Sequence, residues 1–118
     1  MPPERPRLPT REGLRARAQL EGAQVLLRGD APPLALRRTL EGLAGLLERP
    51  TLDGPSPAEV LRAVRQALRA AGHPQRVREA LQALRGSPLQ RRRPDAFARL
   101  EAAVLEPGPS SERLTPAL

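Results

Sequence analysis

The sequence predicts an all-α fold, a small bundle of four or five amphipathic helices with disordered termini. Apolar residues recur at three- and four-residue spacing in five successive segments. Prolines and glycines punctuate the chain between those segments. Of the strongly β-favouring residue types, the segments hold little besides valine and Phe97.

Thr10 is placed to cap a first helix over Arg11–Arg28, with Gly29 as its stop. Its apolar seam is Ala16, Leu20, Ala23 and Leu27. For the second helix, Asp30 is the expected cap, with Pro32 and Pro33 in the first turn, where proline is tolerated. Leu36, Leu40, Leu43 and Leu47 form its seam, Leu34 and Leu46 widen that face, and Pro50 ends it. As the most hydrophobic segment, with no net charge, it reads as the central helix.

Ser56-Pro57-Ala58-Glu59 has the form of a capping box with proline at the first helical position. The third helix then runs to Ala71 and stops at Gly72, with Val60, Leu61, Val64, Leu68 and Ala71 as its seam. A Gly72-His73-Pro74 turn leads into a fourth helix over about residues 75–85, which turns Val77, Ala80, Leu81 and Leu84 inward. Ser87-Pro88-Leu89-Gln90 repeats the capping-box pattern, but Pro94 cannot donate to the carbonyl of Gln90 and disfavours helix at Arg93. The expectation is one turn over 88–93 and a last helix from Pro94 to about Leu105. Asp95 in its first turn is poised to pair with Arg99, and Phe97, Leu100 and Val104 face inward. Residues 1–9, with four prolines, and 107–118 read as disordered tails around one domain over 10–106.

Val64-Arg65-Gln66-Ala67-Leu68 and Val77-Arg78-Glu79-Ala80-Leu81 echo each other thirteen residues apart. A solenoid unit needs about twenty residues or more, so the echo reads as a restricted alphabet repeating itself. All 20 basic residues are arginine, and Ile, Asn, Tyr, Trp and Cys are absent. Most of the missing types have A/T-rich codons, so a GC-rich genome explains the alphabet without any selection for arginine chemistry.

Composition narrows the function. Without cysteine there is no disulfide framework, thiolate metal site or cysteine nucleophile. A lone histidine, His73, excludes a multi-histidine metal cluster and reads as a helix cap or solvated turn residue. The single aromatic rules out a base-stacking platform. Neither a Ser-His-Asp arrangement, a carboxylate pair nor a glycine-rich phosphate loop can be drawn from the spacing. No enzyme activity, metal, cofactor or small-molecule substrate is therefore expected. No apolar run approaches the roughly 20 residues of a membrane span. Residues 1–9 lack the apolar block of a secretory signal, and Glu12 and Glu21 with no serine speak against a transit peptide. The expected location is the cytoplasm.

Two surfaces remain. Residues 73–93 hold six arginines and one glutamate, a net +5 of the chain's +7. Arg76, Arg78, Arg85, Arg91, Arg92 and Arg93 are thus candidates for sequence-independent contact with a nucleic-acid phosphate backbone. Sequence-specific reading is not expected, because asparagine is absent and Gln75, Gln82 and Gln90 are too scattered to define a base-reading face. The other surface is the helical hairpin of the first two helices. A core of Leu and Ala with one aromatic is thin, and its burial barely matches the cost of ordering the chain. Leu20, Leu27, Leu34 and Leu46 are candidates to meet a partner helix or a second copy of the chain. The expected function is a non-catalytic binding module, a small accessory or scaffolding subunit that packs against a protein partner or itself. Nucleic-acid binding through residues 76–93 is the alternative.

Overall fold

The computed structural model describes residues 10–105. Six helices follow one another without a strand among the described residues: α1 (Arg11–Arg28), α2 (Pro33–Glu48), α3 (Pro57–Ala70), α4 (Pro74–Ala83), α5 (Pro88–Arg92) and α6 (Pro94–Leu105). This is the all-α bundle that the periodicity predicts, with the expected turn at 88–93 appearing as the short α5. The tails expected over 1–9 and 107–118 lie outside the described residues.

Around α2 the bundle closes: it packs against α1, α3, α4 and α6, while α3 also meets α1 and α6. Its seam explains the position. Leu36, Leu40, Leu43 and Leu47 are all buried, and Leu40 is completely inaccessible. From the other helices, Leu20, Leu27, Val60, Val64, Leu68, Val77, Leu81, Phe97, Leu100 and Val104 complete a single core. No polar or charged residue is buried among the described residues. The echoing pentapeptides behave alike, since each contributes its Val, Ala and Leu to that core.

Local chemistry sets most helix ends. Thr10 accepts from the Gly13 N–H, at 2.9 Å, as the α1 cap. In a capping box the third helical residue would reach back to the cap's own N–H. Here that residue is glycine, and Asp53 of the α2–α3 loop accepts from the Thr10 N–H instead, at 2.9 Å. Arg17 secures the same loop by donating to the carbonyls of Asp53 and Gly54. At α3 the capping box forms in full. Ser56 Oγ accepts from the Glu59 N–H, and Glu59 Oε1 accepts from the Ser56 N–H at 3.0 Å.

That last bond holds the Glu59 carboxyl below its ordinary range of 4.5, with the nearby Arg17 guanidinium adding to the effect. A carboxylate favoured by the fold stabilises it above the unfolded-state pKa and loses that contribution as pH falls through the folded one. Ser56→Ala removes the Oγ that accepts from the Glu59 N–H and is expected to cost about 1 kcal/mol. Glu59→Gln removes the charge itself, and its penalty should shrink in urea titrations as pH falls through the folded pKa of Glu59.

Three expectations fail at the turns. Asp30 does not cap α2. Pro32 does, extended at φ −69°, ψ 160°, because the residue before a proline is driven out of the helical region. Asp30, two residues earlier, instead pairs with Arg76 across the bundle. Ser87 and Gln90 form no capping box. Gly86 turns the chain at φ +75°, Ser87 Oγ donates back to the Leu84 carbonyl, and Gln90 Oε1 accepts from the Gly86 N–H. The third is the Asp95–Arg99 pair, which is not among the ion pairs of the described residues; those are Arg17–Glu59, Arg76–Asp30 and Arg85–Glu101.

Candidate protein-binding groove

Antiparallel packing of α1 on α2 leaves an open furrow on the outer side of the hairpin. Gln19, Gly22, Ala23 and Leu26 line it from α1, and Leu34, Ala35, Arg38, Thr39 and Gly42 from α2, with Pro32 at the loop end. Its volume is about 550 Å³. Glycine creates the space. A side chain at Gly22 would meet nothing within 4 Å, and at Gly42 the room is filled only by the tip of Gln19. Leu26 is 39% exposed and Leu34 52% exposed on its walls. Val25 and Leu14, also exposed, continue the apolar surface along α1.

Of the four leucines expected at a partner interface, only Leu34 is accessible. Leu20, Leu27 and Leu46 are buried in the chain's own core. The heptad pattern misplaces Leu46 because a helix packed by four others buries a wider arc than one stripe. Leu26 and Gly22 were not legible as site residues. Their signal is the second apolar row of α1, Leu14-Ala18-Gly22-Leu26, which lies beside the core seam at the same helical spacing.

The six arginines of residues 76–93 are carried by α4, the turn after it, α5 and the α5–α6 junction. Arg76, in the first turn of α4, is paired with Asp30 beside the start of α2. Arg85 is paired with Glu101 of α6. The Arg91 guanidinium donates to the Gly86 carbonyl. Arg93 lies over Gly45, in the last turn of α2, where an added Cβ would stand 3.2 Å from its terminal nitrogen. At 1.5 Å per residue, the two ends of α2 marked by Arg76 and Arg93 are about 18 Å apart. Arg92 is exposed and Arg78 half-buried. Folding thus pairs two of the six with carboxylates. His73 precedes α4, exposed and without a capping hydrogen bond.

A second furrow, between α1 and α3, is polar and lined by Arg17, Glu21, Glu59 and Arg62 around the buried Leu20 and Ala63. Its charges of both signs satisfy one another in part through the Arg17–Glu59 pair, at 3.5 Å. Among the described residues no cluster of three or more metal-ligating side chains forms, and no helix is long and apolar enough to cross a membrane. No protein-family model, curated protein or solved structure matches this chain.

Proposed function

We propose that this chain is a non-catalytic helical binding module whose α1–α2 groove receives a helix from a partner protein. One observation supports this above the others: Leu26 and Leu34 stand exposed on opposite walls of a glycine-opened apolar furrow. A third helix laid there would cover both side chains and extend the hairpin into a layer of three. Each large aliphatic covered contributes about 1.5–3 kcal/mol when fully buried, so two give micromolar-scale driving force only if rim contacts add to them.

The phosphate-backbone alternative gains less support. Arg76 and Arg85 already hold carboxylates, which leaves fewer guanidinium groups to displace counterions.

Leu34→Asp separates binding from folding. The side chain is half out of water already, so the variant should keep its helical circular dichroism and lose under about 0.5 kcal/mol of stability. It should at the same time fail to bind helical peptides selected from a displayed library against the unaltered chain. Selected peptides that bind the variant equally well would end this reading, as would a library that yields none.

A further inference from the structure

The groove is apolar at one end and basic at the other. Pro32, Leu34 and Leu26 lie toward the loop that joins α1 to α2. Gln19 packs against Gly42. In an antiparallel hairpin a step back along α1 therefore matches a step forward along α2, and Arg15, one turn before Gln19, falls opposite Gly45 and Leu46. Arg93 reaches the same place from the α5–α6 junction, over Gly45. Arg38 stands in the lining between the two ends.

None of the ten lining residues is acidic. Arg15, Arg38 and Arg93 take part in none of the ion pairs of the described residues. Glu41 and Glu48 lie outside the lining, and Glu48 faces Asp95 and Arg99 of α6. Arg38 thus lines the groove and Arg15 and Arg93 lie beside its Gln19–Gly42 end, none of the three in an ion pair among the described residues. An occupant that covered Leu26 and Leu34 would also strip water from this edge, where an unmatched guanidinium is costly and a bidentate carboxylate is favourable.

We infer that the groove's occupant is an acidic amphipathic helix of another protein, with aliphatic side chains toward Leu26 and Leu34 and carboxylates toward Arg38, Arg15 and Arg93. This rests on the groove being the binding site. A second copy of the chain fits less well, since each copy carries +7 and two would repel as their basic edges met. Nucleic acid offers no aliphatic surface to cover the two leucines.

The test uses the full chain and a random library of displayed helical peptides. Enriched peptides are expected to carry a leucine stripe flanked on one side by Asp or Glu. Arg38→Glu should weaken them by about tenfold or more, and should improve analogues in which lysine replaces those acids. Peptides that require Leu34 yet show no acidic bias would overturn the acidic occupant and leave the groove standing. Binding indifferent to Leu34→Asp would instead remove the groove itself. A dimer in sedimentation velocity that Leu34→Asp dissolves would give the site to a second copy, and that too would overturn the inference.

Discussion

Leu40→Asp is expected to abolish cooperative folding. Leu40 sits at the middle of α2, is 0% exposed, and belongs to a core in which no polar or charged residue is buried among the described residues. A carboxylate placed there has no donor to meet it. It must either remain charged without solvent or take up a proton and stay unpaired, at a cost of several kcal/mol. The leucine contacts vanish as well, and large-to-small changes alone cost about 2–5 kcal/mol. Domains of this size hold about 5–15 kcal/mol in total, so the two losses together reach the whole reserve. Far-ultraviolet circular dichroism and urea titration decide it. A sigmoidal transition with a midpoint near that of the unaltered chain would contradict the core as described. Leu46→Asp should also destabilise, by a smaller amount, because Leu46 retains 8% exposure at the edge of the same core. Its contrast with Leu34→Asp, twelve residues earlier on the same helix, measures how sharply α2 divides between core and groove.

What could be read in the sequence was whatever a few neighbouring residues decide. Thr10 and Ser56-Pro57-Ala58-Glu59 fix the starts of α1 and α3, since each cap bonds within four residues of itself. The five seams that build the core were legible for the same reason: helical spacing repeats every turn. Most features that failed depend on partners distant in the chain. Asp30 looks like a cap, but Pro33 sets the helix start at Pro32, and Asp30 pairs with Arg76, 46 residues away. The arginine run looks like six free charges until Asp30 and Glu101 pair with two of its members. Leu46 looks like an outer flank until four helices surround α2. The groove was half legible. Leu34 announces it by lying off the stripe, whereas the room beside it comes from Gly22 and Gly42, which a hydrophobic pattern does not register.

A pair of glycine replacements in α1 should move stability in opposite directions. In a helix interior alanine is preferred to glycine by about 0.8–1 kcal/mol, so Gly22→Ala, where the new Cβ meets nothing within 4 Å, should stabilise by up to about that amount. Gly13→Ala starts from the same propensity gain and should lose it. Its Cβ would stand 2.6 Å from Asp53 Cβ and 2.8 Å from the Asp53 carbonyl carbon. Backbone cannot swing aside as a side-chain tip can, so the α2–α3 loop must shift off the N-terminus of α1. That shift removes the Asp53 bond to the Thr10 N–H and the two bonds from Arg17 to the loop carbonyls. Each hydrogen bond contributes about 0.5–1.5 kcal/mol net, so the change should destabilise by about 2 kcal/mol after the propensity gain is counted. Asp53→Ala in a chain that keeps Gly13 removes only the first bond and should cost about half as much. Urea titrations of the three variants test the set. A Gly13→Ala chain more stable than the parent would show that the loop gives way freely, and that Asp53 does not hold the start of α1.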